Sequence, residues 1–138
     1  MIAEIIYTDE LPDSSDFMKL FETTKWDKVN KADEKDFSKS LNNSWCVISA
    51  YCEGQLVGVG RVVSDGVLYA MIHDLIVNPS FQNSGIGDTV LSKLIEKCED
   101  AGVRHIQLFS AKGKAPYYRK RGFVERPSDA PGMEFKKI

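Results

Sequence analysis

Apolar and polar positions along the chain follow two periods, and the switches between them predict the order of elements. Residues 2–7 (Ile2-Ala3-Glu4-Ile5-Ile6-Tyr7) read as a first strand. Phe17, Met18, Leu20 and Phe21 then share one helical face behind Asp13, Ser14 and Ser15 as candidate caps. Beyond a polar loop through Trp26, Phe37 and Leu41 stand one turn apart on a weaker second helix. Residues 45–52 and 55–64 form a hairpin pattern around Glu53-Gly54, and Asp65-Gly66 turns the chain into a third strand over 67–77. Ile86, Val90, Leu91, Leu94, Ile95 and Cys98 recur at three-to-four spacing, a long helical stripe that stops at Ala101-Gly102. A strand over 105–109 and a short helix over 115–121 follow, then two closing strands at Phe123-Val124 and Met133-Glu134-Phe135. The class is α/β (α+β), with 1–138 as a single domain and a helical crossover joining two parallel strands.

Size and composition narrow this only a little. A chain of 138 residues fits one domain. A net charge of −2 argues against nucleic acid as a partner. No run approaches the roughly 18 apolar residues of a membrane span, and no basic-then-apolar leader opens the chain, so a cytoplasmic protein away from membranes is expected. Cys46, Cys52 and Cys98 form no C-x-x-C pair, and neither His73 nor His105 stands at metal-ligand spacing from a cysteine. Three packed thiols and no metal site are the expectation.

The chemistry concentrates where the third strand (Met71 to Val77) gives way to the long helix through Pro79-Ser80-Phe81-Gln82-Asn83-Ser84-Gly85-Ile86-Gly87. A glycine-bearing loop opening directly into a helix directs unpaired N–H groups and the positive dipole end at one point, which suits a phosphate. Gly85 and Gly87 let it approach the main chain. A Walker loop is excluded because Asp88 follows Gly87, and a dinucleotide fingerprint because Val90 stands where its third glycine belongs.

What remains, Gln-x-x-Gly-x-Gly after Asp-Leu-Ile-Val-Asn-Pro, resembles the acyl-CoA pyrophosphate loop of the GNAT N-acetyltransferase superfamily, whose pattern is Gln/Arg-x-x-Gly-x-Gly/Ala. Farther on, Ala115-Pro116-Tyr117-Tyr118-Arg119-Lys120-Arg121-Gly122-Phe123 resembles that family's Phe-Tyr-x-x-x-Gly-Phe segment, with Tyr117 in place of the Phe. The resemblance covers nearly the full length. It implies a mixed twisted sheet of about seven strands with four helices in the order β-α-α-β-β-β-α-β-α-β-β, splayed at the cofactor site. Acetyl-CoA is the implied co-substrate. Its pantetheine arm would pair with main-chain groups of Leu75, Ile76 and Val77, and its pyrophosphate would rest on the amides of Gln82, Asn83, Ser84, Gly85, Ile86, Gly87 and Asp88. Leu75 N–H matches the position that polarises the thioester carbonyl, a donor of a kind that contributes ~2.7–4 kcal/mol. Asn83 departs from a frequent glycine but tolerates positive φ, while the Asp88 carboxylate would repel a phosphate unless it turns away. Lys112, Lys114, Arg119, Lys120 and Arg121 either meet the remaining phosphate or form a solvated basic surface.

The implied reaction is transfer of the acetyl group to a primary amine by direct attack in a ternary complex. Tyr118 is placed to protonate the departing thiolate, a phenol of pKa ~10 against a thiol near 8.5. Asp74 and His73 are the candidate bases, Asp74 through water and His73 by titrating near working pH. Strand alternation allows only one of the two to face the acceptor. Thr24, Trp26, Trp45 and Met133 are candidate acceptor contacts, and the acceptor is a small-molecule amine or a protein lysine. A homodimer is compatible with all of this. The rival readings are a catalytically inactive CoA-binding regulatory module and a protein-interaction module on the same scaffold.

Overall fold

Side-chain caps set the first two helices. The computed structural model describes residues 3–26 and 31–136. Strand β1 (Ile5–Thr8) leads to α1 (Ser14–Glu22) and α2 (Glu34–Asn42); the expected start of β1 at Ile2 lies outside the described residues. Asp13 caps α1 by accepting the Ser15 N–H at 2.8 Å. Asp33 and Asp36 cap α2 reciprocally, each carboxylate accepting the other's backbone N–H at 3.0 Å. Phe17 and Phe21 of α1 and Phe37 of α2 then meet edge to face, with ring centroids 5.1 to 6.3 Å apart.

The sheet order is β1-β2-β3-β4-β5, with β2 (Cys46–Cys52), β3 (Gln55–Ser64), β4 (Tyr69–Val77) and β5 (His105–Leu108). Pairing from β1 through β4 is antiparallel. Glu53 and Gly54 both take left-handed φ, 49° and 81°, as a tight primed hairpin turn requires. β4 begins two residues later than its apolar run because the Asp65 carboxylate accepts the N–H groups of Val67, Leu68 and Tyr69 at 2.8, 2.8 and 3.2 Å, holding them in a turn. Arg104 N–H donates to Val67 O and His105 N–H to Leu68 O, so the two segments advance together, as parallel neighbours do.

Both faces of the sheet are covered. On one, Val47, Leu56, Val59 and Ile76 pack with the α1 and α2 side chains Phe17, Leu20, Phe21, Phe37 and Leu41. On the other lies α3 (Ile86–Asp100), burying Ile86, Val90, Leu91, Leu94 and Cys98. It ends as Ala101-Gly102 predicts: Val103 N–H donates to Cys98 O and Gly102 N–H to Glu99 O around a left-handed Gly102. Among the described residues no helix is long and apolar enough to cross a membrane.

The chain separates into two units, residues 1–107 and 108–138. Among the described residues the second holds α4 (Ala115–Arg119) but no strand after it, so the described sheet has five strands and not about seven, and the described element order ends at α4. The expected closing strands are irregular, with Val124, Met133 and Phe135 at 90%, 85% and 87% exposure. Two or three apolar residues are too few to fix a register. Pro127 and Pro131 also remove ladder donors between them, and Ala130 N–H closes a local turn on Pro127 O instead.

Glycine in β3 lets α3 approach the sheet. A Cβ at Gly60 would lie 2.7 Å from Leu94 Cδ1 and 3.0 Å from Val90 Cγ1. Gly60→Val should therefore destabilise the protein by about 1–3 kcal/mol through overpacking. Urea unfolding should show a lower midpoint with an unchanged slope.

Candidate functional site

Between two of its ladder pairs with β3, β4 carries one residue more than its partner. The register runs Val59↔Ile76, then Arg61↔His73, so Asp74 and Leu75 together face Gly60 in a bulge. Asp74 sits at φ 55° in the left-handed region, a conformation that costs a non-glycine residue roughly 1–2 kcal/mol and that aspartate tolerates better than most. Its carboxylate accepts the Arg61 Nε–H at 2.6 Å, with both side chains over four-fifths buried (18% and 16% exposed). Arg61 Nη1 in turn donates to Ser44 Oγ at 3.3 Å.

The bulge alters which side chains meet. His73 lies opposite Arg61 and shares its face, while the Asp74 carboxylate reaches the same guanidinium. Simple alternation allows only one of them there; the left-handed residue brings both. Leu75 turns to the α3 side, its Cδ1 lying 3.2 Å from where a Gly60 Cβ would be. Burial, more than the Arg61 charge, holds the His73 imidazole below its ordinary pKa, and Asp74 opposes that only in part. The ring is thus neutral at neutral pH.

The loop past β4 opens α3. Asn78 caps a single 3-10 turn, Pro79–Phe81, by accepting the Ser80 N–H at 2.9 Å. Gln82 reaches back, its Nε2 donating to Val77 O at 3.1 Å, and Ser84 Oγ donates to Phe81 O. Asn83 and Gly85 take positive φ of 63° and 87°, so asparagine does accept the conformation asked of it. Gly85 is the N-cap of α3, no side chain caps the first turn, and a Cβ at Gly85 would meet nothing within 4 Å. Gln82, Asn83, Ser84 and Gly85 are exposed and Ile86 is buried. An uncapped, accessible helix start fits an anionic group such as a pyrophosphate.

Tyr118 belongs to the second unit, while His73, Asp74, Leu75 to Val77 and the loop at 82–88 belong to the first. Within the second unit its ring meets those of Tyr117 and Phe123 edge to face, at 5.1 and 5.7 Å. Burial pushes its phenol above the ordinary value, against the opposing Arg121 charge. The Arg121 guanidinium lies over the Tyr117 ring, 3.6 Å from its centroid, so this cation is engaged locally. Arg119 pairs with Glu125. Of the acceptor candidates, Thr24 spends its hydroxyl on Phe21 O at 2.7 Å and Trp26 packs edge to face on Phe21. Trp45 lies under the β3–β4 turn, 3.2 Å from where a Gly66 Cβ would be, and Met133 is exposed.

Arg61 was not singled out by the sequence reading. Its signal is an arginine within the apolar run Gly58 to Val63 with an aspartate on the next strand, but only the bulged register makes them neighbours.

Comparisons with known proteins show the family. The chain is 40% identical over 79 residues to the GCN5-related N-acetyltransferase 1, chloroplastic, of Arabidopsis thaliana, covering 57% of this chain and 40% of that protein. It is 34% identical over 82 residues to the serotonin N-acetyltransferase 2, chloroplastic, of Oryza sativa subsp. japonica, covering 59% and 41%. This chain thus spans about two-fifths of the length of each. In fold it superposes on a probable acetyltransferase from methicillin-resistant Staphylococcus aureus with a TM-score of 0.86 at 23% identity, covering 97% of this chain and 100% of the other. The family model described as Acetyltransferase (GNAT) family matches residues 6–123, and the chain belongs to that family.

Proposed function

We propose that the protein is an acyltransferase that moves the acetyl group of acetyl-CoA to a primary amine by direct attack, with no covalent acyl-enzyme. The observation that carries this reading is the β4 bulge leading, within one unit, to the uncapped start of α3. Membership of the family supports it. The acceptor is a small-molecule amine or a protein lysine; one relative is named a serotonin acetyltransferase and another, from Glycine max, a histone acetyltransferase.

In this mechanism the amides at Gln82 to Asp88 hold the pyrophosphate, with α3's dipole behind them. Main-chain groups of Leu75 to Val77 align the pantetheine arm. Leu75 N–H donates to the thioester oxygen as charge develops there. His73, neutral at working pH, takes the proton of the attacking amine directly or through water. The carbon–sulfur bond breaks as the carbon–nitrogen bond completes, and Tyr118 returns a proton to the thiolate. A phenol raised by burial stays protonated through neutral pH and so remains a competent donor.

Gly87→Arg places a long side chain in the first turn of α3, at a helical glycine with no positive φ. Acetyl-CoA binding should disappear in calorimetric titration while the far-ultraviolet circular dichroism stays unchanged. Wild-type-like binding by this variant would remove the loop from the site.

Tyr118→Phe keeps the edge-to-face contact with Phe123 and removes only the hydroxyl. With a working acceptor, kcat should fall by ~10²-fold while affinity for CoA holds. An unchanged kcat would leave water as the proton source.

The depressed His73 pKa has two readouts with a defined sign. The folded state binds the proton less well than the unfolded chain, so stability is full above the ordinary histidine value of 6.5 and declines as pH falls toward the folded value. His73→Gln should flatten the acid side of a melting-temperature profile in that window. It should also remove an acid limb of kcat/KM lying below pH 6.5. A rate profile with the same limb in both proteins would exclude His73 as the base.

A further inference from the structure

We infer that Arg61 is a positioning residue for the oxyanion donor, and that Asp74 serves as the other half of its clamp and not as the base; this rests on the acetyl-transfer reading above. A left-handed backbone at a residue other than glycine persists only where its surroundings over-determine it. At Asp74 the surroundings are specific. The φ of 55° is accompanied by a 2.6 Å ion pair that crosses to β3, to the residue paired with His73. Arg61 is itself fixed by its strand and by Ser44 Oγ at 3.3 Å.

The residue whose peptide plane depends on this torsion is the next one. Leu75 lies outside the paired register, in the bulge where the regular ladder is interrupted. Two constraints remain. The Leu75 side chain is wedged above Gly60 beside Leu94 and Val90, and the Asp74 carboxylate is held by Arg61. The first anchors the far end of the bulge and the second sets its twist. Without the guanidinium, Asp74 relaxes toward an ordinary extended conformation and turns the Leu75 N–H away from the thioester oxygen. An oxyanion donor of this type is worth ~10²–10³-fold in kcat. The Asp74 carboxylate, already accepting from Arg61, has the wrong task for a proton relay.

A glycine substitution separates the two roles, because glycine takes left-handed φ with no clamp. In Arg61→Gln, kcat should fall by at least ~10-fold with CoA affinity retained. Arg61→Lys, which cannot present the same fork, should fall between it and wild type. In the double variant Arg61→Gln/Asp74→Gly, much of the lost kcat should return although both charges are gone. If Asp74 is the base, the double variant stays as inactive as Asp74→Asn, and the inference is overturned. A second measurement needs neither acceptor nor turnover. In the amide spectrum of the unliganded protein, the Leu75 resonance should shift in Arg61→Gln and move back in the double variant. A Leu75 resonance indifferent to Arg61→Gln also overturns the inference. Wild-type protein that binds acetyl-CoA but acetylates no amine sinks the broader reading alone, and the Leu75 resonance still decides the clamp.

Discussion

One extra residue in β4, set opposite a glycine, is the constraint on which the rest of this structure depends. Gly60 has no side chain, so α3 settles against the sheet through Val90 and Leu94, and Leu75 enters the same space. The surplus residue is Asp74, forced into a left-handed turn. Because β4 shifts register there, the strand can bury Ala70 and Ile72 toward α3 and still deliver Ile76 to the α1–α2 core. A regular strand cannot do this with three even-numbered positions. Packing and chemistry therefore share one cause: the irregularity that lets both sheet faces fill is also what gathers His73, Asp74 and Arg61.

Much of this was legible in the sequence because it rests on local rules. Caps at Asp13 and the left-handed stop at Gly102 are each fixed by a few neighbouring residues. β3 occupies residues 55–64 as expected, bounded by two turns with strong signals. The loop glycine that starts α3 was legible for the same reason, since an uncapped helix start after a strand needs a residue without Cβ.

What was not legible depends on long-range register. The bulge leaves no mark in the pattern of β4, whose buried positions keep an even spacing through the irregularity. Arg61 and Asp74 are thirteen residues apart, and only pairing through the bulge joins them. The closing strands failed for the opposite reason: short apolar segments near 123 and 133 carry a strand-like composition but have too little length to hold a partner. Composition speaks for an element when the element is long, and β4, not the tail, is long.

The bulge also determines which sequence changes the strand can absorb. Exchanging one side chain at 73, 74 or 75 alters a contact and leaves the ladder in place. Deleting one residue between His73 and Ile76 would restore regular pairing, with Val59 still opposite Ile76 and Arg61 still opposite His73. Ile76 would stay in the α1–α2 core and Ala70 and Ile72 toward α3, and what would go is the left-handed residue with its ion pair to Arg61. Packing alone therefore does not fix the length of this segment, and an alignment gap there would mark a related chain that keeps both sheet faces but lacks the bulge.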